Sequence, residues 1–517
     1  MLDILCYNSY MRVLHDIKLP ITATEEDVKI KCAKTLNVSP KNLRTFKILR
    51  RSLDARKKDN ICYVYSVAVS KDVEEFPEKV IPKVSADYRP IVVGFGPAGI
   101  VCAYVLASAG LNPIVIERGE SVFDRAKTVD RFRKSGELNT ESNAQFGEGG
   151  AGAFSDGKLN TGIGEKDKIE YILKLFVKHG ADKNILIDAK PHIGTDKLLP
   201  MVSSIRQEIE KTGGEIRFSE QLVAVEQYGK LVKITTTKGE YTTDSLVLAI
   251  GHSARDTYKM LFDSGFVMEP KAFSIGFRVE HLQKEINRAM YGDSFENPLL
   301  PPAEYKLVKH TAFGGVYTFC MCPGGFVTAT SSENGGIVTN GMSYFARDGK
   351  NSNSAVLTTV EAGEHVFDGV EKQLYYERLA FKTGGENYFA PCQLLGDFLD
   401  GKGTVKLGRI TPTYTPGVTF ARLDAMIPEK SKNAFAEAFA SFGKSIKGFD
   451  CRDAVLTGFE TRSSAPLRIL RNDNYSALGS ECVYPCGEGC GYAGGITSAG
   501  VDGFRVAEAI IEKYRKV

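Results

Sequence analysis

The sequence predicts an α/β protein. A Rossmann-type parallel sheet carries an antiparallel meander, an inserted mixed-sheet α+β domain interrupts it, and a small α+β domain precedes it. Three observations predict this. An apolar strand at 90–93 runs into Gly94-Phe95-Gly96-Pro97-Ala98-Gly99, then a helix rich in small residues, then the apolar run Ile114-Val115-Ile116 closed by Glu117-Arg118. Strand and helix patterns alternate from Pro90 to about 269 and return from about 452. Between them, at about 270–450, closely spaced strand-like runs precede two helical stretches.

Each part of the first motif has a physical task in holding a dinucleotide. Gly94 permits the tight turn, Gly96 lets the backbone approach a pyrophosphate, and Gly99 lets the helix sit close on the strand. Pro97 and Ala98 open the helix, whose free N–H groups and positive dipole end face the phosphates. Glu117, 23 positions after Gly94, can accept from ribose hydroxyls. No charged residue lies between Arg89 and Glu117. That stretch is long enough to cross a bilayer, but its glycines and proline break it, and burial in a parallel sheet accounts for its apolarity.

Composition narrows the class. A chain of 517 residues supports two or three domains, and 43% apolar with 25% charged residues is the balance of a globular protein. With 66 basic and 63 acidic residues the net charge is +3, which argues against nucleic acid or an acidic membrane as an overall partner. Eleven cysteines without a disulfide-like framework, and an N-terminus without a charged leader, point to the reducing cytoplasm.

Residues 1–85 form the small N-terminal domain: strands at 2–6 and 63–69 and a helix at 24–36 started by Thr24-Glu25-Glu26-Asp27. Between Lys41 and Lys58 eight basic residues face one acid, Asp54; such a run is read first as a solvated or interdomain face. The linker 75–88 contains Pro77 and Pro82. The first part of the nucleotide-binding domain spans 86–269. It contains short strands at 184–188 and 215–218 around a helix at 196–212, a meander at 222–226, 231–236 and 241–243, and a buried strand at 246–250. The inserted domain spans 270–451, with strands at 273–279, 315–321, 325–330 and 336–342 and helices near 361–383 and 430–442. Residues 452–517 return to the first domain and close with a helix at 495–513.

The C-terminal run Cys486-Gly487-Glu488-Gly489-Cys490-Gly491-Tyr492-Ala493-Gly494-Gly495-Ile496 is a second glycine-rich loop between strand and helix. Repeated glycine is expected where backbone passes close to a ligand. Glu488 can bind a polyol hydroxyl, and the helix opening at Gly495 and Ile496 can point at the flavin N1–C2=O edge. Two such loops, one near each end of the chain, indicate FAD rather than NAD. No second GxGxxG follows a strand, so a nicotinamide donor, NAD(P)H, would dock transiently.

Nearly the whole chain resembles the bacterial FAD-dependent dehydrogenases known generally as NAD(P)/FAD-dependent oxidoreductases, a family of undefined substrate. The resemblance rests on the Gly94 motif, 51–58, Phe146-Gly147-Glu148-Gly149-Gly150 through Leu159, Pro191-His192-Ile193-Gly194, 249–256, Cys320-Met321-Cys322-Pro323-Gly324-Gly325 and the C-terminal loop. It implies bound FAD and a redox reaction. It also implies that the 147–158 loop lies along the flavin, with Gly150 allowing close approach and Ser155 and Lys158 bonding phosphates or ring. Backbone at Val223 would hold adenine. Gly251 would stand in the usual Ala-Thr-Gly-type turn, with Ile250 replacing Thr. Cys490 stands where the family pattern has Ala.

Candidate catalytic residues are His252 and Arg255, following Gly251, and Arg278, which with His281 could bind an acidic substrate; an Arg278–Glu280 ion pair is the plainer reading. Cys320 and Cys322 are read as packing before a redox pair, and no metal site is expected at Cys482, Cys486 and Cys490. The function expected is a single-FAD oxidoreductase acting on a small molecule. Its alternatives are an RNA-modifying flavoprotein using the basic strip and a flavin-binding sensor without turnover.

Overall fold

The computed structural model describes residues 11–76 and 78–515; the strand expected at 2–6 and Pro77 lie outside them. In the N-terminal unit, strands Arg12–Pro20, Cys62–Ser70 and Thr45–Asp54 form an antiparallel sheet with Cys62–Ser70 central. Helix Glu25–Thr35 buries Val28, Cys32 and Ala33 with Ile17, Tyr65, Val67 and Val69. Thr24 starts this helix with a reciprocal capping box to Asp27. Three of the eight basic residues of the strip meet the rest of the protein, Arg51 pairing with Asp188 (2.8 Å), Lys47 with Glu170 (3.2 Å) and Lys58 donating to the Ala289 carbonyl (2.7 Å), while Lys41, Arg44, Arg50, Arg56 and Lys57 are exposed.

Five short strands make the parallel sheet, in the order Val483–Pro485, Leu246–Leu248, Ile91–Val93, Ile114–Ile116, Glu215–Arg217. The central ones are buried on both faces, which is why they read as unbroken apolar runs. Helix Pro97–Ser108 and the closing helix Ile496–Arg515 pack on one side so closely that a Cβ on Gly503 would lie 2.1 Å from the Ala98 carbonyl oxygen. The meander Leu222–Tyr228, Leu231–Thr236, Glu240–Thr243 forms a separate three-stranded antiparallel sheet. The strand expected at 184–188 is instead the 3-10 turn Lys183–Leu186: Asp182 accepts from the Asn184 N–H (2.8 Å) and turns the backbone out of extension.

The second unit is a seven-stranded mixed sheet ordered Val308–Thr311, Gly314–Cys322, Asn351–Val360, Phe273–Leu282, Val455–Glu460, Ala390–Leu394, Val418–Phe420. Strand Val455–Glu460 pairs with Phe273–Leu282 and Ala390–Leu394, so this sheet extends past residue 451. The chain regains the parallel sheet only at Val483–Pro485. Phe277 sits at the middle of an aromatic core, with ring centroids 5.1 Å from Phe459, 5.5 Å from Phe435 and 5.7 Å from Phe398. None of the described helices is long and apolar enough to cross a membrane.

Truncating Phe277 to Ala removes the ring that these three share. It is expected to cost about 3–5 kcal/mol, measured as a lowered denaturation midpoint by circular dichroism, with an unchanged midpoint counting against this core.

Candidate functional site

A single long cavity crosses the C-terminal ends of the parallel strands, where the strand order reverses on either side of Ile91–Val93. Its floor is the glycine turn. Gly94 has φ +97°, and a Cβ there would lie 2.2 Å from the Ala249 carbonyl oxygen; one on Gly99 would lie 1.9 Å from Gly94 O. Both are glycine so that strand, turn and helix can interlock. Gly96 is different. Its φ is ordinary, and its missing side chain lets the Gly150 backbone pack against it, the Gly150 Cα lying 3.6 Å from the Cβ position. As N-cap of the helix it gives no side-chain bond, so first-turn N–H groups remain for a ligand.

One end of the cavity is made by Glu117, Arg118, Glu220, Gln221 and Leu222. Glu117 is buried and accepts from the N–H groups of Phe95 (2.8 Å), Gly119 (2.9 Å) and Gly147 (2.9 Å). Three of the four lone-pair positions of its carboxylate are filled, which leaves one on Oε2 for a hydroxyl. Arg118 forms a wall, held by Asp256 (3.0 Å) and Glu141 (2.9 Å) and lying over the Phe146 ring. Val223 does not reach the cavity. Its backbone lies at a register shift between Leu222 and Ala224 and its side chain is 42% exposed, while the neighbouring Leu222 lines the cavity.

The 147–158 loop lies on a buried arginine that the sequence does not flag. Arg125 donates to the carbonyls of Asn143 (2.8 Å) and Glu148 (2.7 Å). Ser155 lines the cavity, but its hydroxyl shapes the loop, donating to Gly152 O (2.7 Å) and accepting from Gly157 N (3.1 Å). Lys158 lines the cavity with its ammonium 2.6 Å from buried Asp156, which Arg347 and Ser343 also hold. Against the desolvation that would lower it, the Asp156 carboxylate raises the Lys158 pKa.

The far end is formed by Gly251, His252, Glu488 and Gly494–Ile496, with Cys320, Asn340 and Arg462 from the second unit. The closing helix opens at Ile496 and is tied to the loop by Thr497, which donates to Leu159 O (2.8 Å). Buried Asp502 anchors the C-terminal loop by accepting from Gly487 N (2.8 Å) and Arg471 (2.7 Å).

Two expected catalytic arginines lie outside the lining. Arg255 is buried against Glu377 (2.8 Å), Glu333 (3.0 Å) and Gln373 (3.0 Å). Arg278 is fully buried, pairs with Glu460 rather than Glu280, and donates to Asn340 (2.6 Å), Asn353 (3.1 Å) and the Cys320 carbonyl (2.9 Å). Glu280 accepts instead from Asn351 (3.0 Å) and the Thr413 backbone (3.1 Å), and His281 is hydrogen-bonded to the Phe449 carbonyl (2.7 Å). Their partners are remote in sequence, so local alternation could not find them. From the second unit, Arg462 does line the cavity, and it shares Glu377 with Arg255. Among the described residues no His, Cys, Asp or Glu group is arranged to hold a metal ion.

Residues 272–463 match the family described as FAD-dependent protein, C-terminal domain-like, and residues 11–70 match a domain of unknown function. An uncharacterised protein of Clostridium beijerinckii is 45% identical over 97% of this chain and 98% of its own length. The chain belongs to this FAD-dependent family. Solved structures similar to the flavoprotein include NikD, an unusual amino acid oxidase essential for nikkomycin biosynthesis (TM-score 0.37, 10% identity, 83% of this chain and 94% of that one). A variant of the halogenase PltM in complex with FAD gives a TM-score of 0.39 at 11% identity, over 83% and 70% of the two chains.

The cavity fits the flavoprotein's cofactor. Gly96 and Gly150, whose backbones meet, line the cavity at the uncapped helix end, where a pyrophosphate would be held, and Glu117 keeps one acceptor position for a ribose. Glu488 lines the cavity, and its carboxyl has no hydrogen bond among the described residues. Burial pushes Glu488 up to about 7 and, with Arg462 and Arg255 adding to it, pushes His252 down to about 4.

Two tests follow. Gly96→Val leaves the interlock at Gly94 and Gly99 intact but crowds the Gly150 backbone at the helix end. It is expected to weaken FAD binding at least about 100-fold (an order-of-magnitude figure for loss of several backbone contacts), read from the flavin absorbance ratio and reconstitution affinity. The raised Glu488 pKa means that folding favours the protonated form. Its favourable contribution is present below the unfolded value near 4.5 and is lost as pH rises through about 7. In FAD-free protein, the melting temperature of Glu488→Gln minus that of the parent should grow between about pH 4.5 and 7 and level above. A difference flat across that range would place Glu488 in a water-like setting.

Proposed function

We propose that this protein is a cytoplasmic dehydrogenase or reductase that acts on a small molecule through one non-covalently bound FAD, with NAD(P)H as a transient donor where the flavin must be reduced. The observation that carries the reading is the pair His252 and Glu488, 3.9 Å apart on the cavity wall. Unlike the cavity's ion-paired cations, both keep polar atoms available to a bound molecule.

Bound FAD supplies two-electron redox chemistry. The chain's own residues do the rest. His252 is neutral at physiological pH, and Ser253 Oγ, 3.0 Å from Nδ1, orients its ring, leaving Nε2 to hold or accept a proton. Burial pushes Glu488 up to about 7, and at 3.9 Å from His252 Nε2 it would pass a proton to it through a bridging group of a bound molecule or a water. Asn340 has its side-chain oxygen engaged by Arg278 and its own neighbour's N–H, so its amide N–H₂ faces outward as a donor. Arg462 and Lys158, each fixed by a buried carboxylate, set a rigid polar rim that selects substrate by shape and hydrogen bonding. The described cysteines are free thiols, which supports a reducing compartment.

Anaerobic bleaching of the flavin against pools of metabolites and against NADH and NADPH identifies the donor. With a donor in hand, His252→Ala should retain FAD yet slow bleaching by about 10²–10⁴-fold. An unchanged bleaching rate in stopped flow would remove His252 from the reaction.

A further inference from the structure

Strand Gly314–Cys322 loses its regular pairing with Asn351–Val360 between Phe319 and Cys322, where the register shifts. At that point Cys320 takes φ +44°, a left-handed conformation that residues with a Cβ adopt at a cost. The kink puts Cys320 on the wall of the FAD cavity, while Cys322 is completely buried behind it. The Cys322 thiol donates to the Cys320 carbonyl at 3.3 Å. That same carbonyl accepts from Arg278 (2.9 Å), and Lys158 lines the cavity beside it. Two residues of strand rise span about 6.6 Å, inside the Cα separation of about 4.4–6.8 Å that a disulfide bridges.

We propose that Cys320 and Cys322 are a redox-active thiol pair on the cavity wall, exchanging two electrons with FAD on one side and with a disulfide compound at Cys320 on the other. This rests on the cavity holding FAD. The electrostatics agree with the geometry. A hydrogen bond from the Cys322 thiol, then the charges of Lys158 and Arg278, draw the Cys320 thiol well below its ordinary range against its desolvation, while Cys322 is pushed well up. Cys102, Cys392, Cys451 and Cys490 are pushed up by burial, as inert packed thiols are.

The steps balance. The Cys320 thiolate attacks one sulfur of the disulfide. The substrate S–S bond breaks, a Cys320 mixed disulfide forms, and the first thiolate leaves and takes a proton. Cys322 then gives up its proton and attacks Cys320 Sγ. The mixed disulfide breaks, the second thiol leaves protonated, and a Cys320–Cys322 disulfide forms. Two electrons and two protons from reduced FAD restore the dithiol. In the opposite direction the dithiol passes the same two electrons and two protons to oxidised FAD.

The test uses FAD-loaded protein, with flavin content measured by absorbance in every sample so that loss of cofactor is distinguished from loss of the thiol couple. After mild oxidation with diamide and removal of the reagent, anaerobic reductive titration of the parent should consume two more electrons per FAD than Cys320→Ser or Cys322→Ser. The parent peptide carrying both cysteines should lose two hydrogens by mass. Cys322→Ser treated with glutathione disulfide should trap one glutathione on Cys320. Equal electron uptake in the parent and both variants, no mass loss in the parent peptide, or no trapped adduct would each overturn the proposal. The parent's mass readout holds even where a variant fails to fold.

Discussion

The cavity depends on one buried carboxylate. Glu117 ends the second parallel strand and accepts N–H bonds from the glycine turn, from its own loop and from the 147–158 loop. Removing a carboxylate from water is costly, and multiple short N–H bonds are what offset that cost. In return, three segments far apart in sequence are fixed at one point, and their mutual placement defines the width of the cleft. An Ala at 117 would leave three buried donors unsatisfied at once, a larger penalty than the loss of any ribose contact.

The same logic recurs across the site. Arg125, Arg278, Arg255 and Arg347 are buried and Arg471 half-buried, all are bonded to carbonyls or carboxylates, and each braces a loop rather than reaching a ligand. Guanidinium is suited to this, since its planar set of donors can satisfy several acceptors in a fixed geometry. The outcome is a cleft whose walls are preorganised by ion pairs behind the lining, while His252, Glu488, Asn340 and Cys320 remain on the surface of the cavity.

Much of this was legible in the residues alone. The parallel strands announce themselves because burial on both faces demands unbroken apolar runs, and the glycine turn because Gly94 and Gly99 occupy positions no side chain can share. In the C-terminal loop Gly487, Gly489 and Gly491 are held to glycine in the same way, whereas Gly494 faces open space. What escaped depends on tertiary partners or on local irregularity. Arg255 and Arg278 look available until Glu377 and Glu460 are brought in from more than a hundred residues away. Cys320 reads as strand packing because a kink in the pairing leaves no trace in a period-two pattern. The Val455–Glu460 strand has the apolar character of either sheet, and only its neighbours decide where it belongs.

The two helices that flank the cleft, Pro97–Ser108 and Ile496–Arg515, are about four hundred residues apart in the chain yet pack almost backbone to backbone. A ribosome adding about 5–20 residues per second needs on the order of 20–80 seconds to pass from one to the other. For that interval the outer side of helix Pro97–Ser108 and the edge of strand Leu246–Leu248 lack their partners, and the glycine turn lacks its opposing loop. The cavity lining is therefore complete only once the last residues of the C-terminal loop and helix have been made.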